Sequence, residues 1–318
     1  MLGAVEHLVG LQAQDVKAPY VALWSRVAGF DPYELGRMLE SREVVRLPLM
    51  RDTVHLVSAD DALALRPLVQ PPIEAHGRGS LGPPPEVDRA ELAALARTAF
   101  EEAPRTAGEL RALFAERWPG ADPERLARGV RADLPLMQLP PRAVWRRPGS
   151  VRHGLLEREL GRPMRPTTLA DMVRRYLGAF GPASVADVQT WSGLTRLAEV
   201  ADGMDDLVRL RDEDGRELLD LPDAPRPGSD VPAPVRFLAP WDQVLLSHAD
   251  RSRIISAEQQ RVMSVAPNGR MPCAVLVDGR VGGLWRVESG AVVVEGFGPL
   301  PDDEVGREAA ALEEFLRR

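Results

Sequence analysis

The sequence predicts a mixed α/β, mainly helical protein: three successive units of winged-helix size, then a small C-terminal antiparallel β region. Three observations point there. Capped amphipathic helical stretches alternate with short runs of strand character. Proline- and glycine-rich stretches at 71–89 and 222–234 punctuate the chain. The 318 residues are 44% hydrophobic, enough for several cores, yet contain no apolar run of membrane-spanning length.

Composition narrows the function classes. The one cysteine, Cys273, lies beside the apolar run Ala274–Val277, which excludes an intrachain disulfide and a cysteine-built zinc site and fits a reducing compartment. Histidines at 7, 55, 76, 153 and 248 form no His-x-x-x-His pair, so neither a metal nor another cofactor is expected. Gly77–Gly82 leads into three prolines and reads as a linker, not a phosphate loop. No basic segment precedes an apolar one at the start, so a cytoplasmic protein is expected, on the nucleoid when bound to DNA. The net charge of -7 counts against nonspecific nucleic-acid binding. Residues 199–230, however, carry eleven carboxylates against four arginines, leaving the rest neutral and free to form a local basic face. With Lys17 the only lysine, that face would be arginine, whose donor fork suits phosphates and guanine edges.

The first unit is assigned to 1–70. Val5, Leu8 and Val9 give a helical stripe that Gly10 ends, and Pro19 opens a helix burying Val21, Leu23, Trp24 and Val27. Gln12 and Gln14 therefore fall between helices. In an extended segment they share a face and present two neutral carboxamides to one substrate or water. The ordinary alternative is that they satisfy nearby backbone groups. Asp31, Pro32 and Glu34 open a helix to about Glu40. Val44–Leu49 and Thr53–Val57 form a first wing around Met50–Asp52, with Arg51 and His55 alternating with Thr53 on one face as candidate contacts to phosphate or a damaged base; a solvated wing face with His55 capping a local group is the alternative. Ser58 and Asp61 cap a helix through Leu68.

The second unit covers 88–154. It has a helix at 90–103, a Thr106–Glu109 capping box opening a helix with Leu110, Leu113 and Phe114 inward, and a third helix near 123–132. Leu136–Leu139 and Ala143–Arg146, divided by Pro140 and Pro141, read as a second wing. In the third unit, 165–221, Thr168 caps a helix containing Met172, Val173, Tyr176 and Leu177, and 178–183 is a break. A short helix at 184–188 and a turn plus second helix over 190–197 make a helix-turn-helix, with Arg196 toward DNA; a plain helical hairpin is the alternative. After the five prolines of 222–234, strands at 273–278, 281–287 and 291–297 and a helix from about Glu304 with Val305, Ala309, Leu312 and Leu316 inward complete a region at 235–318. Arg251 and Arg253 are candidate contacts to the DNA backbone, although Asp250 beside them also suits a structural ion pair. Trp191, Trp241 and Trp285 are expected as core anchors, the last two with base stacking as the alternative.

The motifs Gly10-Leu11-Gln12-Ala13-Gln14-Asp15, Arg51–Val57, Tyr176–Ala183, Arg236–Asp242 and His248–Arg253 together resemble the winged-helix DNA-binding family that includes AlkZ and YcaQ type DNA glycosylases. The resemblance covers nearly the whole chain. It implies a C-shaped protein whose three winged-helix units surround a DNA-sized cleft. It also implies excision of N7-alkylated purines from duplex DNA, in some members unhooking of interstrand crosslinks. The family's catalytic signature, Gln-aliphatic-Gln or Gln-aliphatic-Asp, falls on Gln12-Ala13-Gln14. The stretch before Gln12 is shorter than the leading helix the resemblance implies. A noncatalytic DNA-binding or regulatory protein with the same winged helices is the alternative reading, and a monomer is expected.

The chemistry agrees with the residue types. An N7-alkylated purine is cationic and already a good leaving group, so water must be held at C1′ and no strong base is needed. A glutamine oxygen can orient that water. Gln14 is expected to position it and Gln12 to orient the sugar or share the water, or the reverse. Asp15 points to the other face of an extended strand and is structural. A Schiff-base lyase needs an amine, and one lysine leaves little choice, so monofunctional hydrolysis to an abasic site is expected.

Overall fold

The computed structural model describes residues 1–80, 87–228, 230–264 and 271–318. The N-terminal segment runs α1 (Leu2–His7), β1 (Leu11–Gln12), α2 (Ala18–Trp24), α3 (Pro32–Ser41), β2 (Val44–Pro48), a 3₁₀ turn (Met50–Asp52), β3 (Val54–Ser58) and α4 (Ala59–Leu65). The chain leaves α1 through Val9 and Gly10, both at positive φ. A Cβ on Gly10 would lie 2.3 Å from Val57 Cγ1, so only glycine allows this close crossing over β3. The crossing lays β1 antiparallel to β3, with Gln12 opposite His55. Asp31 caps α3 by accepting from the Tyr33 N–H, and Ser58 caps α4 through the Asp61 N–H. The latter helix ends at Leu65, short of the expected Leu68.

The expected linker motif at Gly77–Gly82 is corrected over its described part, where α5 (Gln70–Ser80) runs through it from the proline- and glycine-rich stretch at 71–89. Pro71 and Pro72 fall in its first turn, where a missing N–H costs nothing. Gly77 is a packing glycine: its Cβ would sit 2.4 Å from Ala132 Cβ. Leu81 and Gly82, the end of the expected linker motif, lie outside the described residues.

Next come α6 (Arg89–Glu102), β4 (Arg105–Thr106), α7 (Ala107–Arg117), α8 (Pro123–Asp133), β5 (Leu136–Gln138), β6 (Arg152–Leu155) and α9 (Leu156–Leu160). The Thr106–Glu109 capping box forms in both directions. The expected second wing does not pair as predicted. The partner of β5 is β6, with Gln138 opposite His153, and 143–146 form a turn. Trp145 is drawn instead into an aromatic cluster, its ring 4.8 Å from Tyr20 and 5.3 Å from Phe315. One six-stranded sheet, ordered β1-β3-β2-β5-β6-β4, joins both segments through Arg46 opposite Gln138.

Residues 169–220 fold as α10 (Leu169–Phe180), α11 (Val185–Ser192), α12 (Leu197–Asp202), β7 (Val208–Arg211) and β8 (Glu217–Asp220), the strands forming an antiparallel pair. The break expected at 178–183 is shorter, because α10 continues through Phe180 and ends at Gly181–Pro182. Ser184 and Asp187 make a second reciprocal box that carries α11 to Ser192. Thr190 and Trp191, expected in a turn, are therefore helical, and the turn spans Gly193–Arg196.

The C-terminal region contains β9 (Arg236–Phe237), α13 (Gln243–Leu246), α14 (Ala257–Ser264), β10 (Cys273–Val277), β11 (Arg280–Glu288), β12 (Ala291–Gly296) and α15 (Asp302–Arg317), with sheet order β12-β11-β10-β9. Helix α15 buries Val305, Leu312 and Phe315, and Phe315 meets Trp24, Phe30 and Trp145. Among the described residues no helix is long and apolar enough to cross a membrane.

Candidate active site

Strand β1 is two residues long, and its geometry decides where the two carboxamides go. Gln12 is buried, and its Oε1 accepts from Arg51 Nη2 at 3.2 Å. The Ala13 N–H donates to the Val54 carbonyl at 2.7 Å, while the Ala13 carbonyl accepts from Arg46 Nη2 at 2.6 Å. Gln14 lies past the strand, in an exposed bend, and its Oε1 accepts from the Val54 N–H at 3.3 Å. The extended conformation expected across Gln12–Gln14 thus stops before Gln14, yet both carboxamides engage the same segment, 51–54. Asp15 Oδ1 accepts from the Lys17 N–H at 2.7 Å, closing the next turn.

Arg46, which was not singled out from the sequence, underlies this strand. It is 3% exposed and also donates from Nη1 to Gln138 Oε1 at 2.7 Å. Burial and neighbouring Arg142 push its pKa down to about 10, which keeps it charged at neutral pH. A clue was available: Arg46 interrupts the apolar run Val44-Val45-Arg46-Leu47. A buried arginine in such a strand implies fixed acceptors.

Arg51 occupies the 3₁₀ turn with φ 57. Besides Gln12, its guanidinium donates to the carbonyl of Trp191 in the last turn of α11, where the helix dipole favours a cation. Burial brings its pKa to about 10.

The wing face expected to carry Arg51, Thr53 and His55 toward DNA is corrected. The alternation fails because both faces of β3 are covered, Val57 by one core cluster and Val54 and Leu56 by another, and all of its residues are buried. His55 is fully buried, with Nδ1 2.8 Å from the Thr53 carbonyl. A carbonyl only accepts, so Nδ1 carries the proton. Burial, then the Arg51 charge, push the His55 pKa down to about 3, and the ring is neutral. Thr53 Oγ1 turns back to the Met50 carbonyl.

The remaining arginines are separate from this cluster. Arg196 is exposed at the N-cap of α12 with φ 62. Arg253 is exposed, whereas Arg251 is half-buried and donates to the Leu245 carbonyl at 3.1 Å. Asp250 pairs with Arg216 at 3.0 Å, not with its arginine neighbours. Trp191 is fully buried, and buried Trp285 donates to the Leu238 carbonyl at 2.9 Å. Trp241 is half-buried at φ 56. A cleft of about 1180 Å³ is lined by Asp15, Lys17, Arg142, Trp145, Trp241 and Trp285 among others, with neither glutamine in its wall. Among the described residues no three His, Cys, Asp or Glu side chains gather as metal ligands would.

The fold is that of a defined class, and the chain belongs to it: the family described as DNA glycosylase AlkZ-like matches residues 5–318. The solved structure of Streptomyces sahachiroi DNA glycosylase AlkZ superposes with a TM-score of 0.78 over 99% of this chain and 91% of that one, at 21% identity. The interstrand DNA cross-link repair glycosylase of Streptomyces sahachiroi is 29% identical over 140 residues. That stretch is 42% of this chain and 37% of the relative's length.

Proposed function

We propose that this protein is a monofunctional DNA glycosylase that hydrolyses the N-glycosidic bond of N7-alkylated purines in duplex DNA. The observation that carries the reading is the pair Gln12 and Gln14, whose carboxamides are both held against segment 51–54 at the family's signature position. Each amide oxygen uses one lone pair on a protein donor and keeps a second for water or the sugar. Gln14, the exposed member, holds the water; Gln12, the fixed one, orients the sugar. The water oxygen bonds to C1′ as the bond to purine N9 breaks. The electron pair leaves with the base, which becomes neutral, and the water proton passes to solvent. No general base of high pKa is required, because the cationic base is already activated.

In this reading the three helix-and-strand segments act as winged-helix units around a duplex-sized cleft, and a monomer suffices. Exposed Arg196 and Arg253, with half-buried Arg251, supply phosphate contacts. His55 serves the interior of the strand pair and does not touch DNA. The cleft beside Asp15 offers room for a lesion larger than a methyl group, which supports unhooking of interstrand crosslinks by the same hydrolysis. The work would be done in the cytoplasm, on the nucleoid.

The test is a duplex with a single N7-methylguanine, treated with wild type and with the double variant Gln12→Ala/Gln14→Ala. Base release by wild type alone, equal DNA binding by both, and strand cleavage only after hot alkali are expected. Binding without release by wild type would favour the noncatalytic regulator instead.

A further inference from the structure

Arg51 and Asp52 are consecutive residues with left-handed backbone, at φ 57 and φ 56. Two such residues in a row are costly for side chains with a Cβ, and they persist only where the surroundings fix them from several sides. Here the surroundings are three parts of the fold. Asp52 faces His76 of α5, 4.0 Å away, and the positive charges of Arg131 and Arg66. The Arg51 guanidinium spans from Trp191 at the end of α11 to Gln12 on β1. Gly193, at φ 77, backs directly onto the same turn, and a Cβ there would lie 3.2 Å from the Arg51 nitrogen.

Among the described residues no carboxylate pairs with Arg51, so its two hydrogen bonds, not an ion pair, set its place. Both acceptors are specific. A primary carboxamide is nearly symmetric in shape but has an acceptor at one end and donors at the other. A guanidinium against Gln12 admits only the oxygen, which turns Nε2 and the second oxygen lone pair toward the site.

We propose that Arg51 is a positioning residue: it sets the orientation of the Gln12 carboxamide and couples that orientation to the Gly193–Arg196 turn between α11 and α12. The coupling rests on the glycosylase reading for its catalytic meaning but not for its geometry. A shift of the α11–α12 turn as DNA is engaged moves the Trp191 carbonyl, and through one side chain moves the catalytic amide. Arg51 then acts on the rate at bound DNA and is not one of the phosphate contacts.

The experiment combines kinetics with a spectroscopic readout in the full chain. Single-turnover release of N7-methylguanine is measured for wild type, Arg51→Lys, Arg51→Gln and Gly193→Ala, with DNA affinity at several salt concentrations. Loss of the amide orientation in Arg51→Gln is expected to cost roughly 100-fold in rate at saturating DNA, the scale of an error of about 1 Å in placement. Arg51→Lys should recover part of it, and DNA affinity and its salt slope should be unchanged. In parallel, the Gln12 side-chain amide resonances, identified by their loss in Gln12→Glu, are compared across folded variants. They should move in Arg51→Lys and also in Gly193→Ala, which touches Gln12 nowhere.

An unchanged rate with weaker binding and a salt slope lower by about 1 would make Arg51 a phosphate contact and overturn the proposal. Unmoved Gln12 resonances in both variants would overturn it as well. If wild type releases no base, the glycosylase reading fails, while the resonances still decide the coupling.

Discussion

Replacing Arg46 by methionine separates what holds the fold from what holds the site. Arg46→Met removes two charge-assisted hydrogen bonds, to the Ala13 carbonyl and to Gln138 Oε1. Each such bond contributes about 1.5–3 kcal/mol, and both acceptors are left without that donor. Against this stands the recovered cost of keeping a cation buried. The Arg46 pKa falls from 12.5 to about 10, which corresponds to a penalty of about 3 kcal/mol. The difference is a loss of about 2 kcal/mol, or roughly 3 °C in Tm for a chain of this length. Base release by the folded variant should fall as well, at least ~10-fold, because the freed Ala13 carbonyl sits between the two glutamines. Adding Gln138→Leu removes one stranded acceptor. The double variant should regain about 1 kcal/mol but no activity. Thermal melts by circular dichroism and single-turnover excision of N7-methylguanine measure the two quantities. If the double variant recovers both together, or if Arg46→Met changes neither, Arg46 does not brace β1 as argued.

Other outcomes follow from the same geometry. His55 and His153 both have folded-state pKa values below the unfolded value of 6.5, at about 3 and about 4, chiefly through burial. The unfolded chain therefore binds protons first, and stability is complete above pH 6.5 and lost as pH falls toward those values. Urea midpoints should show a loss of about 2 kcal/mol per histidine between pH 7.5 and pH 5, and a His55→Gln variant that remains folded should show a shallower dependence. Lys17→Ala should keep full base release, and borohydride should trap no protein–DNA adduct with wild type; trapping that depends on Lys17 would contradict the monofunctional mechanism. Arg196→Ala and Arg253→Ala should each weaken DNA binding and lower the salt slope by about 1; Arg253→Ala should leave the rate at saturating DNA unchanged, whereas Arg196→Ala, in the turn coupled to Gln12, should also lower it. A salt slope equal to wild type would remove either residue from the DNA-facing set.

What could be read in the sequence was what is local. The Thr106–Glu109 box, the Thr168 cap and the Asp31–Pro32 helix start each depend on residues within a few positions, and each is where the pattern places it. The three C-terminal strands also form within a residue of where their strand-like runs stand. What escaped was set at long range. Gly77 resembles a loop glycine until Ala132 is packed against it. Residues 143–146 have strand character, but Tyr20 and Phe315 claim Trp145. His55 alternates like an exposed wing residue, yet distant parts of the chain cover both faces of β3 and it is fully buried. The glutamine pair was visible as a motif, whereas Arg46 reaches its acceptors across 33 and 92 residues of chain, a distance no window of periodicity covers.

The sheet that runs from the Gln12 strand to the Thr106 strand has a consequence for how the molecule comes apart. Residues 1–70 and 88–154 are separable as sequence patterns, but β2 and β5 are neighbours in one ladder and Gly77 seats α5 on α8. Cutting between them would expose two strand edges and strip a helix from its bed. The inner strands β3, β2, β5 and β6 of the two stretches therefore open as one cooperative unit, and their amides should exchange with solvent in step, at a single free energy. The glutamine strand lies at the margin of that unit, where opening requires the fewest bonds to break. Amides of the two-residue edge strands β1 and β4 should exchange ahead of those of the inner strands, so the strand that carries Gln12 can loosen while the sheet beneath it stays closed.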